Sequence, residues 1–74
     1  MVGTFEGAKL AVICQITSLM DQGLIGEKSM MDFAFDLSEV EHRHMINFND
    51  DEVFPIRNFG NIYPKMLAEP TKYI

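Results

Sequence analysis

The sequence predicts an all-α fold: an antiparallel helical hairpin followed by an irregular C-terminal segment with short helical turns, dimerising into a helical bundle. Three observations predict it. Apolar residues recur every three or four positions through residues 4–22 and again through residues 28–48, the period of a helix. A turn bounded by Gly23 and Gly26 separates the two runs. All three prolines, Pro55, Pro64 and Pro70, lie beyond the second run, where they interrupt any further long helix. With 74 residues the chain forms one small domain, residues 1–74.

The first helix is expected over residues 4–22. Thr4 stands as its N-cap, with a hydroxyl that accepts from a free N–H of the first turn. Phe5, Val12, Ile16 and Leu19 follow at helical spacing, with Ile13 and Met20 beside them. Gly23 supplies the left-handed stop, and Leu24 is placed to pack back on Leu19. Leu10, Val12, Cys14 and Ile16 also alternate as a strand does. Apolar Ala11 and Ile13 break that alternation and the flanks carry helix caps, so the helix is preferred.

The second helix is expected over residues 28–48, and it carries two apolar faces. At about 100° per residue, Met30, Phe33, Leu37, Val40, His44 and Phe48 fall on one side. Met31, Phe35, His42 and Ile46 form a second stripe, while Asp32, Asp36, Glu39, Arg43 and Asn47 fill the narrow polar remainder. A surface helix needs one apolar stripe; a second one implies a surface for another molecule. Ser38 and Glu41 have the spacing of a capping box, but the apolar rhythm runs through them, so one helix with a kink site at Ser38 is expected.

Residues 49–74 read as a proline-containing arm that packs. Asn49-Asp50-Asp51-Glu52 has the form of a helix start, with Asn49 as cap and Phe48 stapled onto Val53. Pro55 limits that helix to about a turn. Pro64 to Glu69 reads as a second short turn stopped by Pro70, with RNFGNIY between them as loop. Phe54, Ile56, Phe59, Ile62, Tyr63, Met66, Leu67 and Tyr73 make the arm too apolar for a disordered tail. Phe59, Tyr63 and Leu67 are its expected anchors, on its own helices or a neighbour's.

Composition narrows the class. The chain is 47% hydrophobic and 23% charged, as a folded protein is. A core of this size supplies only about 3–5 kcal/mol, and the single cysteine, Cys14, excludes an intramolecular disulfide. A partner or a metal is the expected additional support. The net charge of −5 and pI near 4.7 argue against nucleic acid as a partner, because the six scattered cations form no basic stripe. Leu10 to Ile16 is too short for a membrane span and Glu6 disrupts a signal-peptide start, so a cytoplasmic protein without membrane partners is expected.

The chemistry-bearing residues are few. Glu39 with His42, and Glu41 with His44, are two overlapping E-x-x-H pairs. Spacing of three puts a carboxylate and an imidazole on one helical face. The pattern resembles the ferritin-like E-x-x-H motif, and the resemblance implies a metal-binding half-bundle in which Glu6, Glu41 and His44 from two chains hold a di-metal centre. Lys9, within the first apolar stripe, opposes a cation there, and an ion-paired edge is the plainer expectation, with no cofactor. Cys14, among apolar neighbours and without a base nearby, reads as a buried, inert thiol. Gly23 and Gly26 lack the lysine and hydroxyl of a phosphate loop, and Asp50-Asp51-Glu52 lacks the alternating ligands of a calcium loop.

The functional expectation is a non-enzymatic, acidic interaction module. It binds a larger protein, a second copy of itself, or both, as a regulatory or inhibitory protein of the compact kind that viruses encode. Its interface residues are Met31, Phe35, His42, Ile46, Phe59 and Tyr63. Met20, Met30, Met31, Met45 and Met66 add flexible apolar area suited to core gaps and adaptable surfaces alike. The half-bundle metalloprotein and a structural subunit of an assembly are the alternatives.

Overall fold

The computed structural model describes residues 3–49 and 52–72. Within them the protein is helical: α1 (Phe5–Asp21), α2 (Glu27–Asn47), a 3-10 turn (Ile56–Asn58), α3 (Ile62–Ala68) and a closing 3-10 turn (Pro70–Lys72).

Local chemistry sets the ends of α1. The Thr4 hydroxyl accepts a hydrogen bond from the Gly7 N–H at 3.4 Å, satisfying one of the orphan donors of the first turn. At the other end Gly23 adopts φ 75°. The Leu24 N–H then reaches the Leu19 carbonyl at 2.9 Å and the Gly23 N–H reaches Met20 at 2.9 Å, the pair of bonds that closes a Schellman motif. Ile25 drops into the core within the connection. Gly26 is the N-cap of α2 and makes no side-chain cap bond. That helix runs unbroken through Ser38 and Glu41, because the residues on both sides of them continue the backbone ladder.

Phe5, Ala8, Val12 and Ile16 of α1 meet Phe33 and Val40 of α2 in the core. Phe59, Tyr63 and Met66 come from the C-terminal segment. Leu19, Met30, Leu37, Phe54, Ile56 and Ile62 pack against this cluster. Fully burying side chains of this size is worth about 1.5–3 kcal/mol each, so the C-terminal segment is part of the core.

That segment departs from expectation in three places. Glu52 and Val53 are not helical: the Glu52 N–H closes a turn onto the Asn49 carbonyl at 3.2 Å, and Val53 points outward. Phe48 therefore has no staple on Val53, and its ring instead meets Phe54 edge-on at 6.2 Å. The cause is Pro55, which disfavours helix in the residue before it, and the Phe54 N–H, which is committed to the Gly3 carbonyl at 2.7 Å in an isolated antiparallel bridge. Asp50, Asp51 and Tyr73 lie outside the described residues. The 3-10 turn begins at Ile56 and runs into the stretch read as loop, and α3 starts within that stretch at Ile62, two residues before Pro64. The proline sits in the first helical turn, where its missing N–H costs nothing.

The start of α3 is capped from a distance. Asn61 gives no side-chain cap bond. Instead the Ile62 N–H donates to Asp36 Oδ2 of α2 at 3.1 Å. Gly60, at φ 75°, lets the backbone pass this carboxylate: a Cβ there would lie 1.8 Å from Asp36 Oδ2.

Candidate functional site

Helix α2 carries the candidate site on the side facing away from the core. Ser29, Phe33, Val40 and His44 are its buried residues. At about 100° per residue, Met31, Phe35, Ser38, His42 and Met45 fall on the opposite side. All five are exposed: Met31 by 61%, Phe35 by 74% and Met45 by 78%, with Ile46 at their flank exposed by 66%. Met31, Ala34, Phe35 and Ser38 line an open, largely apolar groove of about 350 Å³. Isolated apolar side chains on a surface are ordinary, whereas a contiguous patch marks an interaction site.

Four of the six expected interface residues, Met31, Phe35, His42 and Ile46, thus lie exposed on one helix. Phe59 and Tyr63 do not join them: at 1% and 2% exposure they are inside the chain's own core. The Tyr63 hydroxyl donates to Gln15 Oε1, and burial raises the tyrosine pKa above its ordinary 10.0, because a phenolate is costly away from water. Two residues of the face escaped the sequence reading as interface members. Met45 and Ser38 complete a spacing of four, three, four and three from Met31, a signal available in the sequence.

Within one chain, Glu6, Glu41 and His44 are not brought together as a ligand set. Lys9 Nζ bonds Glu6 Oε1 at 3.3 Å and lies 3.8 Å from Glu41 Oε1, so an ammonium occupies the place between the two carboxylates. His44, 2% exposed, is turned into an aromatic stack. Its ring lies 4.0 Å from that of Phe5, nearly parallel, with Phe48 at 5.7 Å and Phe54 edge-on at 5.4 Å. Among the described residues no group of three His, Cys, Asp or Glu side chains is placed to hold a metal ion. Cys14 is exposed, contrary to the buried position expected for it. The helical phase explains this, since Cys14 lies about 200° around α1 from buried Val12.

A second hollow, about 430 Å³, lies between the end of α2 and residues 54–60, lined by Arg43 and Arg57 together with Phe48 and Phe54. Two of the six cations of an acidic chain share it. No helix among the described residues is long and apolar enough to cross a membrane. Comparison with protein families, curated proteins and solved structures returns no match to this chain.

Proposed function

We propose that this chain is a non-enzymatic, acidic protein–protein interaction module of regulatory or inhibitory type, acting in the cytoplasm through the outer face of α2. The observation that carries the reading is the exposure of Met31, Phe35, Met45 and Ile46 on one side of a helix whose other side is already covered. Burying each of these side chains is worth about 1.5–3 kcal/mol, enough together to offset much of the roughly 4–15 kcal/mol that association costs. In this reading α1 and α2 form an antiparallel hairpin, and two hairpins dimerise into a helical bundle or dock on a larger protein.

The non-enzymatic part rests on where the titratable side chains go. Lys9 takes up Glu6 and Glu41, Asp36 caps α3 and His44 is stacked between rings. Each has a structural partner that accounts for its position. Sedimentation equilibrium of the purified chain tests the docking surface. The wild type is expected to associate in the micromolar range, and Phe35→Glu with Ile46→Glu to yield a folded monomer. A wild-type chain that stays a folded monomer at high micromolar concentration would overturn the reading.

A further inference from the structure

The geometry points to a binding site for a small organic oxyanion, a carboxylate or phosphate carried on a flat apolar body, in the hollow between the end of α2 and residues 54–60. This site does not depend on the outer face of α2, and each reading stands if the other fails. The hollow holds about 430 Å³, within the range of roughly 300–1,000 Å³ usual for small-ligand sites. Its lining divides by chemistry. Arg43, Arg57, Asn47 and Asn58 supply polar groups, while Phe48 and Phe54 supply rings. None of the described residues lining it is acidic, in a chain where 11 acidic residues outnumber 6 lysines and arginines. A few convergent polar groups beside apolar surface are what orient a small ligand.

The two arginines reach the hollow from different elements. Arg43 stands near the C-terminal end of α2, where the helix dipole favours a cation in any case. Arg57 belongs to the 3-10 turn Ile56–Asn58, which is too short to supply such a field. Core packing places that turn: Ile56 packs against the core and Phe59 lies within it, and the Phe59 N–H bonds the Ile56 carbonyl at 3.2 Å. The fold thus brings a second guanidinium to the first. Neither is ion-paired with a carboxylate among the described residues. Asp36, beside Gly60, is engaged elsewhere, since its Oδ2 accepts from the Ile62 N–H at 3.1 Å. Like charges gathered in one hollow repel, and a bound anion relieves that repulsion. Each guanidinium offers a planar fork of donors that fits a carboxylate or phosphate edge.

The rings argue for an apolar body on that anion. Phe48 lines the hollow with about half of its surface exposed, so a flat ligand gains stacking area there. Phe54 stands edge-on to it, with centroids 6.2 Å apart and planes at 87°, which makes a floor and a wall for one ring. A bare inorganic ion would use the guanidinia and leave the exposed ring in water.

Titration of the full chain, followed by proton–nitrogen correlation NMR in a phosphate-free buffer of low ionic strength, tests the site. The probes are phenyl phosphate, benzoate, inorganic phosphate and neutral benzamide. Phenyl phosphate, benzoate or both are expected to shift the amide signals of residues 43–48 and 54–60 saturably, and about ten-fold more tightly than inorganic phosphate or benzamide. Which of the two binds identifies the oxyanion. Arg43 and Arg57 have exposed side chains, so Arg43→Gln and Arg57→Gln should fold as the wild type does, and each should weaken binding by about ten-fold. Lys28→Gln, which removes an equal charge at the far end of α2, should leave binding unchanged. The site is overturned if no oxyanion gives a saturable shift up to about 10 mM. It is also overturned if benzamide binds as tightly as benzoate, if binding survives Arg43→Gln combined with Arg57→Gln, or if Lys28→Gln weakens it equally. Inorganic phosphate binding as tightly as phenyl phosphate overturns the apolar body.

Discussion

Gly23 and Gly60 share a backbone angle and differ in their surroundings. Both have φ 75°, which costs a side-chain-bearing residue about 1–2 kcal/mol. A Cβ on Gly23 meets nothing within 4 Å, whereas one on Gly60 meets the Asp36 carboxylate. Gly23→Ala is therefore expected to lose about 1–2 kcal/mol. Gly60→Ala loses that and also the cap on α3, worth about 1 kcal/mol more. Asp36→Ala should remove much of this second penalty, so the two substitutions at 36 and 60 combine to less than their sum. Chemical denaturation of the four proteins in a double-mutant cycle measures the difference.

Tyr63 gives a pH signature. Its pKa is raised in the folded protein, so the unfolded chain releases this proton first as pH rises. The contribution to stability is complete below about pH 10, the ordinary tyrosine value, and is lost as pH climbs from there through the raised folded value. Tyr63→Phe should flatten the alkaline fall in stability measured by thermal unfolding at a series of pH values, at a cost of about 0.5–1.5 kcal/mol at neutral pH for the lost bond to Gln15. At Cys14 the expected result is complete reaction with a thiol reagent under native conditions, at a rate close to that of the unfolded chain. Protection until unfolding would contradict its exposed position.

At the scale of elements, α3 and the turn before it complete the core. Phe59, Tyr63 and Met66 are among its buried residues, and Phe59 lies against Phe5 with ring centroids 5.5 Å apart. Removing residues 59–74 uncovers Phe5 and the face of α1 behind it. The truncated chain is expected to bind a hydrophobic dye and to lose its cooperative melting transition, both read by fluorescence; full retention of stability would show that α1 and α2 suffice alone.

The long helices were legible because their signals are local. Thr4, Gly23 and the three-to-four rhythm act within a turn or two of themselves, so α1 and α2 fall within a residue of their expected limits. The tail was less legible because its controls are distant. Ile62 is capped by Asp36, 26 residues away, and Phe54 is held by Gly3. Neither pairing leaves a trace in the tail's own pattern, so the pattern alone puts the start of α3 at the proline. In the candidate site, the exposed stripe was visible as surplus apolar residues on α2. Phe59 and Tyr63 look the same in sequence whether they face a partner or their own core, and the fold put them inside.

For the molecule as a whole, charge and the apolar face pull in opposite directions. Each copy carries a net charge of −5, so two copies repel at long range, while peripheral ion pairs contribute at most about 1 kcal/mol each. Salt shortens the range of repulsion from about 30 Å at 0.01 M to about 8 Å at 0.15 M. Self-association is therefore expected to tighten severalfold between those ionic strengths, as read by sedimentation. An interface held mainly by ion pairs would instead weaken.

The bridge between Gly3 and Phe54 and the bond from Tyr63 to Gln15, 48 residues apart, bear on how the protein comes into being. Closing such long loops is slow compared with winding a helix. A growing chain has made both long helices before it has made the residues that cover Phe5 and Val12. Until residues 54–66 arrive, α2 offers apolar side chains on two opposite faces. A nascent or prematurely terminated chain is thus stickier than the finished one, and its safe interval depends on the speed of the last steps of translation.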